Sequence, residues 1–144
     1  MKAKFLSLLL LVCGLLSNAN IQAQPLELID IKINQLTLSV ELADSPKERA
    51  KGLMGRKTAK PGMLFVYNSP QETAFWMANT LIPLDLAYID EKGVIVSIIQ
   101  MQAMDESTHP SPGEVIGALE MELGWYAKHQ VKVGDKIEFV LADQ

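Results

Sequence analysis

From residue 26 onward the chain runs in short stretches where apolar and polar side chains alternate, the period of a strand with one face toward a core. In residues 36–42, Leu36, Leu38, Val40 and Leu42 fall on one face and Thr37, Ser39 and Glu41 on the other. Residues 26–33 form a similar stretch, and Asn34-Gln35 between the two reads as a hairpin turn. The rhythm breaks at Ser45-Pro46-Lys47-Glu48, where a serine cap, a proline at the first helical position and a glutamate three residues after the cap make a capping box. This predicts a short helix to about Met54, stopped by Gly55. Strand signals return at residues 63–67, 74–77, 84–89, 94–101, about 115–121 and 136–141, with a second short helix at 124–129. The longest loop is the polar, proline-bearing stretch 105–113. Short strands at this spacing predict a mostly β fold, a small single-domain β-barrel or jelly-roll-like sandwich with one or two short helices.

The first residues follow a different pattern. Lys2 and Lys4 precede an apolar run, residues 5–16, that is too short to span a bilayer, and Ile21-Gln22-Ala23 supplies a small residue for cleavage. Residues 1–23 therefore read as a signal peptide, with a cut after Ala19 as the alternative, and residues 24–144 as one β-rich domain. The expected location is periplasmic or secreted. The chain's one cysteine, Cys13, lies in the apolar run, so the mature domain has no thiol or disulfide, and Leu11-Val12 before it does not match a lipidation signal. Removing the leader leaves 11 basic against 17 acidic residues, a formal charge of −6. That balance argues against nucleic acid and anionic membrane surfaces as partners, and no second long apolar run offers stable membrane insertion.

Several segments resemble the family called domain of unknown function 192. They are Glu41-Leu42-Ala43-Asp44-Ser45-Pro46 with Glu48-Arg49-Ala50-Lys51-Gly52-Leu53-Met54-Gly55-Arg56, then Pro61-Gly62-Met63-Leu64-Phe65-Val66, and Phe75-Trp76-Met77-Ala78-Asn79-Thr80-Leu81-Ile82-Pro83-Leu84-Asp85. Ala118-Leu119-Glu120-Met121, Gly124-Trp125 and Val133-Gly134-Asp135 extend the likeness over nearly the whole domain. Ala78 departs from the pattern, which usually has lysine or arginine there. The resemblance implies a compact β-barrel or jelly-roll-like fold and no established reaction.

Candidate chemistry concentrates in residues 75–85. As a site, Trp76 and Met77 would form an apolar wall while Asn79 and Thr80 orient a ligand; as structure, the same residues fill a core and close a tight turn. Asp85 shares a strand face with Ala87 and Ile89, so burial is expected, with Arg49 or Arg56 as its ion-pair partner. Met101, Met104 and His109 are the candidate metal ligands, because thioethers and imidazole suit copper(I). Methionine is also ordinary core filler, and cysteine and histidine are too few for a closed zinc site. His109 otherwise reads as a solvated loop residue, and His129 as closing a short helix. No nucleophile elbow, phosphate loop or His-Glu-x-x-His helix occurs, and no organic cofactor is expected. The sequence thus points to an exported binding or accessory domain, non-enzymatic, for an unknown small ligand or envelope protein. The alternatives are a cell-envelope or carbohydrate-directed hydrolase using Asp85, with His109 as a second group, and copper(I) handling.

Overall fold

A computed structural model describes residues 25–139. The expected leader with Cys13, both cleavage positions and the end of the last strand at Leu141 lie outside the described residues. Nine strands and two short helices follow one another: β1 (Leu28–Ile33), β2 (Leu36–Ala43), α1 (Pro46–Lys51), β3 (Met63–Gln71), β4 (Ala74–Phe75), β5 (Leu84–Ile89), β6 (Ile95–Met101), β7 (His109–Pro110), β8 (Val115–Glu122), α2 (Trp125–Lys128) and β9 (Ile137–Phe139). Seven strands form one sheet in the order β6-β5-β8-β3-β2-β1-β9, curled into a half-barrel, while β4 and β7 pair separately. The mostly β, barrel-like architecture is the one expected. No helix among the described residues is long and apolar enough to cross a membrane.

Neighbouring strands pair antiparallel except β2 and β3, which run parallel with Glu41 opposite Met63 and Ala43 opposite Phe65. A parallel pair needs a crossover, and α1 with the loop after it supplies one. The start of α1 is as expected. Ser45 Oγ accepts from the Glu48 backbone N–H at 3.3 Å and Glu48 Oε2 accepts from the Ser45 N–H at 3.0 Å, and these bonds hold the Glu48 carboxyl below its ordinary range. The helix ends earlier than expected, at Lys51, because Gly52 takes φ +46, a conformation that glycine adopts without strain and that breaks the helical run.

The pleat sends alternate residues of the central strands to opposite faces, and both faces are covered. On one face Leu64, Ala87, Leu119 and Met121 join Ile31, Ile33 and Val40 beneath Trp125 and Tyr126 of α2. On the other, Met63, Phe65, Leu86, Tyr88 and Ala118 lie beneath Leu53 and Met77. All six residues of β5 are buried in consequence. At Gly117 a Cβ would come within 2.3 Å of the Phe65 carbonyl oxygen, so this close approach of β8 to β3 needs glycine.

Ser45→Ala removes the acceptor for the Glu48 N–H and is expected to cost about 1 kcal/mol, read as a lower denaturation midpoint with an unchanged slope. An unchanged midpoint would mean that the cap does not hold α1.

Candidate functional site

The turn after β4 is set by one buried anchor. The Met77 side chain is fully buried, its N–H donates to the Asp105 carbonyl at 2.7 Å, and its own carbonyl accepts from the Thr80 N–H at 3.0 Å. Asn79 takes φ +57 at the tip, and its carbonyl accepts from the Gly55 N–H at 2.9 Å, tying the turn to the chain beyond α1. With Met77 pulled inward, Trp76 turns outward and is 55% exposed. Trp76 therefore stands at the mouth of a cavity of about 290 Å³ between α1, β3 and residues 74–80. Arg49, Tyr67, Phe75 and Thr80 line it, with Glu120 on β8 beneath.

Glu120 was not singled out from the sequence. It sits opposite Met63 on β3 and Leu86 on β5, is 4% exposed, and its carboxyl makes no hydrogen bond or ion pair among the described residues. Burial alone pushes its pKa up from 4.5 to about 8, so at neutral pH it is mostly an uncharged acid. Aromatic rings stand beside it: Phe75 packs edge-on against Phe65 at 4.9 Å and against Tyr88 at 5.8 Å. Tyr88, itself pushed upward by burial, donates its hydroxyl to the His109 carbonyl and so fixes β7 over this face. Arg49 closes the α1 side. Its guanidinium donates to the Val66 carbonyl at 2.9 Å and to the Asp44 carbonyl, and lies over the Tyr67 ring at 5.0 Å.

The structure divides the residues expected to form one site. Arg49, Trp76 and Thr80 meet at the cavity; Met77 belongs to the core, and Asn79 is exposed at the turn tip. Asp85, only 2% exposed, faces the other side of the sheet, where Oδ2 accepts the Tyr126 N–H at 3.4 Å and Oδ1 has no partner among the described residues. The expected Asp85–arginine pair is therefore corrected. Arg56 instead makes a two-pronged pair with Glu41, and Arg49 is held by carbonyls. Both arginines sit on the α1 side of the sheet, which Asp85 does not face. Tyr126 stays beside Asp85 by donating its hydroxyl to the Leu119 carbonyl at 2.7 Å, and burial raises its pKa well above the usual value.

The thioether set is also divided. Met101 is fully buried opposite Leu84, whereas Met104 is 52% exposed in a left-handed turn. His109 is half-buried, its Nε2 3.5 Å from Asp105 Oδ2, so it is no solvated loop residue; it belongs to β7, which sequence patterning missed because it is a two-residue strand ending in proline. The His129 expectation agrees with the structure: this residue closes α2, its ring stacked on Trp125. A second cavity, about 420 Å³, lies beside Trp125, His129 and Leu38, but it lacks a buried acid without a partner.

Fold and cavity together define a small curled-sheet β domain with a lined cavity on one face. The family model described as DUF192, uncharacterized ACR, matches residues 29–139, and the chain belongs to that family. A crystal structure of a Novosphingobium aromaticivorans protein of unknown function is similar at 32% identity and TM-score 0.72, covering 78% of this chain and 86% of that one. A Sinorhizobium meliloti protein, described as a proposed transcription regulator, is similar at 29% identity and TM-score 0.78, covering 82% and 98%. No functionally curated protein matches the chain.

The raised Glu120 pKa fixes a pH dependence. Between pH 4.5 and about 8 the folded protein keeps a proton that the unfolded chain has released, so stability present below pH 4.5 is lost as pH rises toward 8. Glu120→Gln removes this dependence. Across that range the stability of the parent should fall relative to the variant by up to about 5 kcal/mol in denaturant melts. Parallel pH profiles for the two proteins would contradict a buried neutral acid.

Proposed function

We propose that the protein is an exported, non-enzymatic binding domain that holds a small, partly apolar ligand in the cavity between α1, β3 and residues 74–80. The observation that carries this reading is the Glu120 carboxyl, only 4% exposed and with no hydrogen bond or ion pair among the described residues, beneath an aromatic mouth. A buried polar group without a partner is costly, and a ligand offering a hydrogen bond would relieve that cost. Trp76 supports the same reading, since a large aromatic side chain left in solvent beside a cavity gives a ligand apolar area at little conformational cost. Residues 1–23, with their basic start and short apolar run, support export.

The hydrolase reading finds less support. Two groups acting on one bond must face one substrate, whereas Asp85 meets Tyr126 on one face of the sheet and His109 is tied to Tyr88 on the other. Copper(I) binding finds less support as well, because Met101 and Met104 lie in different environments.

Native mass spectrometry of protein recovered from its own cell envelope tests the binding reading. The parent should carry a small molecule that Trp76→Ala, still folded, does not retain. Identical masses for the two polypeptides, once the substitution is allowed for, would contradict it.

A further inference from the structure

We propose that the ligand of this cavity is a small organic anion with an apolar body, its charged group toward Arg49 and Lys51 at the mouth and its far end against the Glu120 carboxyl. The proposal rests on the cavity being a binding site and adds the class of ligand and the pH range over which it is held.

Charge distribution is the first support. Residues 47–60 contain Lys47, Arg49, Lys51, Arg56, Lys57 and Lys60 against a single acid, Glu48, in a chain whose net charge is −4. Most of the chain would repel an anion, and this segment, part of which forms the cavity wall, would attract one. Arg49 is the second support. Only one of its terminal nitrogens makes hydrogen bonds among the described residues, both to carbonyls, which leaves the other guanidinium N–H groups for a carboxylate or phosphate. The apolar body has its own walls in Leu53, Phe65, Phe75 and Trp76, and the volume suits a single ring with a short chain.

Glu120 then sets the pH range. The titratable groups around it are Arg49 and Lys51 on α1, Tyr67 on β3, Tyr88 on β5, Glu122 farther along β8, Tyr126 of α2 from the other face, and Glu41 on β2, the last already paired with Arg56. None hydrogen-bonds its carboxyl among the described residues. As the acid, Glu120 can donate to and accept from the ligand's far end; as the carboxylate, it places a buried negative charge beside an anion. Its pKa near 8 leaves about one-eleventh of the protein in the acid form at pH 9, so affinity for an anion should fall about tenfold from pH 6.5 to pH 9.

Three probes sharing one apolar body test this by NMR titration of the cavity-lining residues: 3-phenylpropionate, 3-phenylpropan-1-ol and 3-phenylpropylamine. The propionate should bind tightest at pH 6.5 and weaken about tenfold at pH 9, and Glu120→Gln should abolish that weakening, because glutamine mimics the neutral acid. Arg49→Gln should weaken the propionate by a larger factor than the alcohol, with melts confirming that each variant is folded. Tightest binding by the amine, strengthening as pH rises, would overturn the anion while leaving the cavity as a binding site. The same loss at pH 9 in Glu120→Gln would overturn the role of Glu120. Absence of binding by all three probes would overturn both the anion and the binding reading.

Discussion

Strand β5, most of β8 and residues 63–65 of β3 are covered on both faces, and the rest of the molecule follows from that constraint. A strand buried on one side can place every second residue in water; one buried on both sides must bury every polar residue it contains. On β5 and β8 this decides the fate of two acids that lie on neighbouring strands one residue apart in register, Asp85 opposite Met121 and Glu120 opposite Leu86. Asp85 meets the start of α2 and receives the Tyr126 N–H. Glu120 meets the underside of a cavity and receives no hydrogen bond among the described residues. The same pleat that makes a dense core thus produces one acid used in packing and one left available.

Glu120 can persist without a partner because it need not be charged. An ionised carboxylate in this position would lose its hydration without gaining a counter-ion, whereas the protonated form avoids most of that penalty and remains able to donate and accept. The covering that creates the cavity is held together by short-range links: the Ser45 cap starts α1, the Asn79 carbonyl ties the 76–80 turn to Gly55, and the Tyr88 hydroxyl holds β7 through the His109 carbonyl. The cavity is thus walled by loops and short elements packed on one face of the sheet.

Local features were legible in the sequence and non-local ones were not. The Ser45–Glu48 box and the Asn34-Gln35 hairpin depend on neighbours a few residues apart, and both appear where the pattern places them. Gly55 reads as the stop of α1, but Gly52, equally free to take a positive φ, ends it three residues earlier. Alternation places Phe139 with Ile137, yet Phe139 is exposed at the edge strand. Of the candidate site, Arg49, Trp76 and Thr80 were legible as polar and aromatic residues in dense motifs. The partnership of Asp85 was not, since residue order does not say which covering faces which side of the sheet. Glu120 lies within the apolar stretch Ala118-Leu119-Glu120-Met121. A charged residue in so apolar a stretch was the available signal, and it becomes decisive only when β8 is known to lie between β3 and β5.

The central claim is that Glu120 is a neutral acid in the folded protein at pH 7, and infrared difference spectroscopy between the parent and Glu120→Gln measures it directly. The parent should show a protonated carboxyl C=O band at pH 7, absent from the variant and giving way to carboxylate bands with a midpoint near pH 8. A parent that already shows Glu120 as carboxylate at pH 6 would contradict it.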